Sequence, residues 1–168
     1  MKRIVLMGFM GAGKTTVGKA LSRKLSCKFL DTDEEIEKEQ KRKISEIFEK
    51  DGEDFFRKLE TELLLKLQNS TEAFVLSIGG GMPLREENRE LLRKIGTVIY
   101  LKTSEEEIIK RVSKGKNRPL LSGDGLEKKV RNLMAQREEI YLRTAQEEIV
   151  TDGKSPMEIA REIENRIK

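Results

Sequence analysis

The sequence lacks histidine and tryptophan entirely and has a single cysteine. Without histidine, the chain has neither a Ser-His nucleophile pair nor an imidazole ligand for zinc. One cysteine excludes an intrachain disulfide and a cysteine cluster that binds a metal. Proton transfer in this protein must therefore depend on carboxylates, lysine or tyrosine.

Long apolar runs and a strong excess of one charge are also absent. Charged residues make up 38% of the 168 residues, but 34 Lys and Arg stand against 30 Asp and Glu, for a net charge of +4. The cations alternate with glutamates and form no aromatic-studded basic stripe of the kind that binds nucleic acid. No stretch approaches the roughly 20 apolar residues of a membrane-spanning helix. We expect one globular, cytoplasmic domain over residues 1–168, with no nucleic-acid or membrane partner.

The apolar residues change between two spacings along the chain. Short continuous runs, typical of buried strands, cover residues 4–7, 28–30, 73–78, 97–101 and 149–150. The segments between them have helical spacing, and two helix starts are marked by capping pairs, Ser104 with Glu107 and Ser155 with Glu158. Strands that alternate with helices predict an α/β fold with a parallel sheet and right-handed crossovers.

A glycine-rich segment follows the first predicted strand. Residues 8–15, GFMGAGKT, match the pattern GxxxxGK[ST], and a helix is predicted over 16–25. Glycines let backbone N–H groups turn inward, and the helix adds unpaired first-turn donors, so polyphosphate binds there. Lys14 is expected to bridge the β and γ phosphates, and Thr15 to ligate Mg²⁺. We predict a site for ATP with Mg²⁺, contacted by Gly11, Ala12, Gly13, Lys14, Thr15 and Thr16.

Two classes of function use such a phosphate-binding segment: a small-molecule kinase, and a nucleotide switch or assembly ATPase. A guanine switch needs an Asn-Lys-x-Asp base-recognition motif, which the sequence lacks. A remodelling ATPase usually has a hydrophobic run that ends in acidic residues, whereas the third predicted strand ends in Gly79-Gly80-Gly81. These residues favour a kinase and leave the switch as the alternative.

Several separated motifs together resemble the shikimate kinase family. Besides the glycine-rich segment, they are Asp31-Thr32-Asp33, Phe56-Arg57, Gly79-Gly80-Gly81, Arg118-Pro119-Leu120-Leu121 and Arg137 four residues before Tyr141. The resemblance spans nearly the whole chain. It implies a three-layer P-loop NTPase fold like that of nucleoside monophosphate kinases, with flanking helices and a five-stranded parallel sheet in the order 2-3-1-4-5. It also implies a helical substrate-binding region at about 33–60 and a lid at about 113–125.

The activity that the resemblance implies is ATP-dependent phosphorylation of the 3-hydroxyl of shikimate, giving shikimate 3-phosphate and ADP. This reaction lies on the route to chorismate and the aromatic amino acids. Gluconate is the rival acceptor, since it offers a carboxylate and hydroxyls to the same arginines. We expect a monomer, because no long exposed apolar surface is evident in the sequence.

Two aspartates are predicted to lie near the reacting groups. The resemblance implies that Asp33 contacts the acceptor hydroxyl as base or orienter, and that Asp31 lies near the Mg²⁺ shell. Both acids follow a predicted strand at the carboxyl edge of the sheet, where open parallel sheets bind ligands. For Asp33, a helix N-cap remains the alternative.

Two arginines are predicted to bind the acceptor carboxylate. By the resemblance, Arg57 and Arg137 grip it, since a guanidinium makes two parallel charged hydrogen bonds. Gly79, Gly80 and Gly81 would let the backbone approach the acceptor, with Gly80 donating its N–H. Taken alone, Arg57 could instead pair with glutamates on the surface and Arg137 could be a solvated cation.

Two further arginines are assigned to the nucleotide and the transferred group. The resemblance implies that Arg118, in the lid, contacts the transferring phosphoryl group, whose charge spreads over its oxygens. Arg111 would lie against adenine, although a basic residue near a helix C-terminus explains it as well. A solvated loop cation is the alternative for Arg118.

Overall fold

The computed structural model describes residues 2–114 and 125–168 of the chain. The strands are β1 Arg3–Met7, β2 Lys28–Asp31, β3 Phe74–Ser77, β4 Thr97–Lys102 and β5 Glu147–Val150. They form one parallel sheet in the order β2-β3-β1-β4-β5. The predicted sheet and its strand order are therefore confirmed.

Helices cover both faces of this sheet. They are α1 Lys14–Lys24, α2 Thr32–Gln40, α3 Ile44–Asp51, α4 Glu53–Gln68, α5 Glu86–Ile95, α6 Glu105–Ser113, α7 Leu126–Thr144 and α8 Pro156–Arg166, with a short 3-10 helix at Met82–Leu84. No helix within the described ranges is both long and apolar enough to cross a bilayer.

The central strand β1 shows why the fold has three layers. Its side chains alternate, so Ile4 and Leu6 belong to the apolar cluster under α1 and α8, whereas Val5 and Met7 belong to the cluster under α4 and α5. All four residues are buried. A strand that is apolar on both faces requires a helical layer on each side.

A third apolar cluster lies away from the sheet. It joins α2, α3 and α4 through Ile36, Ile47, Phe56, Leu59 and Leu63. This small core fixes the helices that follow β2 and places α4 beside the carboxyl edge of the sheet. Four of these five residues fall within the region at about 33–60, whose role in substrate binding stays a prediction.

Element boundaries differ slightly from those predicted. Helix α1 begins at Lys14, two residues before the predicted start, because Gly13 in a left-handed conformation already forms its N-cap. It ends at Lys24, one residue before the predicted end. Ser104 and Ser155 cap α6 and α8 as predicted, each accepting a hydrogen bond from the N–H three residues later. Ser113, predicted to lie in the lid, is the last residue of α6, and Gly125 is the N-cap of α7.

Candidate active site

The glycine-rich segment joins β1 to α1 at the carboxyl edge of the sheet. Gly11 and Gly13 have φ angles of 84° and 92°, which a residue with a side chain adopts only with strain. The N–H of Ala12 donates to Phe9 O at 3.0 Å, and Lys14 Nζ donates to Gly8 O at 2.5 Å. The first turn of α1 carries no acidic residue and receives no side-chain cap, so its N–H groups suit an anionic ligand.

An open cavity of about 530 Å³ lies over this segment. It is lined by Met10, Gly11, Ala12, Gly13, Lys14, Thr15, Thr16, Val17, Arg111, Thr151, Lys154, Pro156 and Ile159. Every predicted nucleotide-contacting residue within the described part of the chain therefore lines one cavity. Thr151, Lys154, Pro156 and Ile159 were missed, and their only sequence signal is a position just after the last strand.

Arg111 lies at a helix C-terminus and also lines the cavity, and its contact with adenine stays a prediction. It lies in the last turn of α6, where a cation is favourable, and it also lines the cavity. Its Nη1 donates to Gly11 O at 2.7 Å, and its Nε pairs with Glu107 at 3.0 Å. Arg111 thus ties the glycine-rich segment to a helix a hundred residues later in the chain.

The two aspartates after β2 have different environments. Asp31 is the N-cap of α2 and accepts a hydrogen bond from Glu34 N at 3.1 Å. Asp33 lies inside the first turn, so the N-cap interpretation of Asp33 is wrong and the capping residue is Asp31. Burial raises the pKa of Asp33 to about 6, the charge of Asp31 adds to the shift, and Lys14 opposes it. Asp33 is therefore a carboxylate suited to accept a proton near neutral pH.

The three glycines after β3 run between the predicted acceptor-binding groups. A methyl group placed on Gly79 would lie 3.2 Å from Asp33 Oδ1. On Gly80 it would lie 2.9 Å from Arg137 Nη1, and on Gly81 it would lie 2.5 Å from Arg57 Nη2. Three consecutive glycines thus face, in order, Asp33, Arg137 and Arg57, and a side chain at any of the three positions would force the facing group to move.

Arg57 pairs with two glutamates of its own helix, one exposed and one buried. It pairs with Glu60 at 2.7 Å and with Glu53 at 3.3 Å, and only 17% of its side chain is exposed. The guanidinium also lies over the ring of Phe56, 5.4 Å from the centroid. These contacts hold the guanidinium beside Gly81 in one orientation, as bidentate binding of a carboxylate requires.

Glu60 is a residue of the site that the sequence did not reveal. Its side chain is fully buried, and its Oε2 is the one buried side-chain oxygen or nitrogen without a hydrogen bond in residues 2–114 and 125–168. That oxygen would lie 3.4 Å from a methyl group on Gly79. Burial raises the pKa of Glu60 to about 7, against the effect of Arg57 and with a contribution from Asp33.

Arg137 reaches the site from α7. Its guanidinium lies 5.7 Å from the centroid of the buried Phe9 ring, within the glycine-rich segment, and close to Gly80. The hydroxyl of Tyr141, one turn later on α7, donates to Gly80 O at 2.6 Å. Arg137 therefore lies between the glycine-rich segment and the glycines at 79–81. It is not a freely solvated cation.

Arg118 and most of the lid expected at about 113–125 lie outside the described residues. The remaining predicted groups occupy two adjoining regions. Lys14 and Thr15 line the nucleotide cavity, whereas Asp33, Arg57 and Arg137 surround the glycines at 79–81. The two regions adjoin, because the Arg137 guanidinium lies over the ring of Phe9 in the glycine-rich segment.

Comparison with known proteins gives one consistent family. A family model described as Shikimate kinase matches residues 10–168. "Shikimate kinase" of Chromohalobacter salexigens is 44% identical over 165 residues, covering 98% of this chain and 91% of that protein. "Shikimate kinase" of Persephonella marina is 42% identical over 168 residues, covering 100% of both chains.

A solved structure supports the same conclusion. "Shikimate kinase from Acinetobacter baumannii in complex with shikimate" superposes with a TM-score of 0.91 at 41% identity, covering 99% of this chain and 93% of that chain. The similarity covers nearly the whole chain and therefore extends over both regions of the site. A match of this extent in sequence and in fold means that the chain belongs to the shikimate kinase family.

Proposed function

We propose that this protein transfers the γ-phosphoryl group of ATP to the 3-hydroxyl of shikimate, in the pathway to the aromatic amino acids. One observation carries the assignment to an acidic alcohol. Consecutive glycines face Asp33, Arg137 and Arg57 in turn, so a carboxylate and two guanidinium groups surround one short segment, and Arg137 also lies over Phe9 of the glycine-rich segment. Two cations for an acceptor carboxylate and one acid for an acceptor hydroxyl match the functional groups of shikimate.

On the nucleotide side, Lys14 and the first-turn N–H groups of α1 bind the β and γ phosphates. Gly11, Ala12, Gly13 and Thr16 complete the lining of that region. The Thr15 hydroxyl would hold Mg²⁺, with Asp31 close to its water shell, and the metal would supply positive charge that neutralises part of the phosphate charge. Thr15 lies directly beside Lys14 in the cavity, which fits this role.

On the acceptor side, Arg57 and Arg137 bind the carboxylate and leave the hydroxyl directed toward Asp33. Asp33 is mostly ionised above its pKa of about 6, so it can orient the hydroxyl and accept its proton as the new P–O bond forms. The transfer is in-line and direct from ATP to the acceptor oxygen. No covalent enzyme intermediate is required.

Closure of the segment at about 113–125 would exclude water, which otherwise competes with the acceptor for the phosphoryl group. Arg118 in that segment supplies a further cation for the transferring group. The helical region at about 33–60 holds Asp33 and Arg57 within the single domain of residues 1–168. We further propose a cytoplasmic monomer that acts on small molecules, without nucleic-acid or membrane partners.

The test is a coupled assay of ADP release with ATP and Mg²⁺, in which shikimate, gluconate, AMP and no acceptor are compared. Shikimate-dependent turnover that is lost in Asp33→Asn supports the proposal. Turnover with gluconate alone would retain the kinase and replace the substrate. Slow ATP hydrolysis whose rate no acceptor increases, and which is unchanged in Asp33→Asn, would instead indicate a nucleotide switch.

A further inference from the structure

The three glycines are held in place by side-chain hydroxyls from two different elements. Thr32, fully buried at the start of α2, accepts a hydrogen bond from Gly79 N at 3.1 Å. Tyr141 on α7 donates to Gly80 O at 2.6 Å, and its side chain is 1% exposed. Gly79 O accepts from Met82 N at 3.2 Å. Each peptide plane in this segment therefore has one hydrogen bond that sets its direction.

The bond from Tyr141 determines where the next N–H points. In a trans peptide the C=O and the following N–H point in opposite directions. Because Gly80 O points toward Tyr141, the N–H of Gly81 points away from α7. Glycine backbone has the widest conformational freedom, so the peptide between Gly80 and Gly81 can turn easily once this bond is removed.

The guanidinium of Arg137 lies next to the same hydroxyl, beside Gly80. Burial raises the pKa of Tyr141, and Arg137 opposes that shift through its charge and a side-chain hydrogen bond. A phenol can donate one hydrogen bond and accept another, so one oxygen can serve Gly80 and Arg137 together. The Arg137 guanidinium and the Tyr141 oxygen would lie 2.9 Å and 3.3 Å from a methyl group on Gly80. Both groups therefore lie on the same side of Gly80.

We propose that Tyr141 is a positioning residue for the acceptor: its hydroxyl fixes the peptide between Gly80 and Gly81 and the guanidinium of Arg137 in a single arrangement that binds the acceptor carboxylate. Tyr141 does not touch the acceptor itself. This inference rests on the proposed function, because it assigns a role within the same acceptor site. Replacing Tyr141 should change the binding of shikimate and leave the binding of ATP unchanged, since Tyr141 does not line the cavity over the glycine-rich segment.

Tyr100 provides a matched control. The rings of Tyr100 and Tyr141 pack edge to face with centroids 5.3 Å apart, and both lie in the same apolar cluster. The hydroxyl of Tyr100 donates to Glu138 Oε2 at 2.5 Å and makes no contact with the glycines. Tyr100→Phe and Tyr141→Phe therefore remove the same atom from adjacent rings, but only the second releases Gly80.

The experiment measures KM for shikimate, KM for ATP and kcat in the wild type and in both variants. Tyr141→Phe should raise KM for shikimate about five- to tenfold, the range expected for one buried hydrogen-bonded hydroxyl, with KM for ATP within about twofold. Tyr100→Phe should change neither constant by more than about twofold. An unchanged KM for shikimate in Tyr141→Phe, or an equal rise in both variants, would overturn the inference.

A second measurement does not depend on the folding of Tyr141→Phe. The chain contains two tyrosines, so fluorotyrosine labelling gives two ¹⁹F resonances, and labelled Tyr100→Phe assigns them. Saturating shikimate should shift the Tyr141 resonance more than the Tyr100 resonance. A Tyr141 resonance that does not move would refute the role. If the wild type does not phosphorylate shikimate at all, the proposed function fails, and this inference fails with it. If the wild type turns over shikimate normally and Tyr141→Phe has an unchanged KM for shikimate, only the inference is refuted.

Discussion

Replacing Asp33 with asparagine should stabilise the folded protein at alkaline pH and remove most of its activity. The pKa of Asp33 rises from 3.8 to about 6, chiefly through burial and then through the charge of Asp31. An acid with a raised pKa binds its proton more tightly in the folded state, so the free energy of unfolding falls as pH rises from about 4 to about 6. The cost of the buried charge is fully present above that range.

The size of the effect follows from the shift. Two pKa units correspond to about 3 kcal/mol, and since Asp33 keeps partial contact with solvent we expect about half of that, roughly 1.5 kcal/mol. The gain in Asp33→Asn should be largest at about pH 8, smaller at about pH 5 and close to zero near pH 4. Loss of the proton acceptor should lower kcat by about 10²–10⁴-fold.

Urea unfolding followed by circular dichroism at these three pH values checks the stability. Glu34→Gln is the matched control, because Glu34 is exposed in the same first turn of α2 and its change alters the helix-terminal charge equally. It should change the free energy of unfolding by less than about 1 kcal/mol, without stabilising. Equal stability of Asp33→Asn and wild type at about pH 8, or a pH-independent difference, would refute the reasoning about burial. Retained activity would refute the role of Asp33.

Three other changes test separate parts of the molecule. Arg57→Lys should raise KM for shikimate at least about tenfold and leave KM for ATP unchanged, because lysine cannot make the bidentate contact with a carboxylate. Steady-state kinetics in which both KM values rise equally would contradict this. The profile of kcat/KM against pH should fall below about pH 6 as Asp33 takes up a proton, and Asp31→Asn should move this limb to lower pH by removing a negative charge; a limb that stays in place would be evidence against Asp33. Gly18→Ala should cost about 1–3 kcal/mol in thermal unfolding, since its methyl group would lie 2.4 Å from the Phe29 ring; an unchanged melting temperature would contradict the close packing.

The phosphate-binding segment and the strands were predictable from the sequence because their signals are local. The pattern from Gly8 to Thr15 specifies a turn and a helix start within eight residues, and apolar runs mark the buried strands. Asp33, Arg57 and Arg137 were identified through the family resemblance, and the structure brings all three to the same glycine segment. Asp33 also follows a predicted strand, but neither arginine carries a local signal that separates it from a surface charge.

Glu60 shows what local patterns cannot supply. It lies on a strongly charged helix, three residues after Arg57, where a glutamate is typically solvated. Its complete burial results from packing of α4 against α2 and against the glycine segment, elements that are distant in the sequence. The same holds for Arg111, whose partner Gly11 is a hundred residues away.

The sequence by itself determined the fold class, the nucleotide-binding segment and, by resemblance, the reaction, because each depends on residue type and short-range spacing. Only the tertiary structure decided which charges are buried, which residue caps α2 and which hydroxyl holds Gly80. Burial and hydrogen bonding depend on the positions of atoms from several elements at once, and those positions are set when the sheet and its helices pack together.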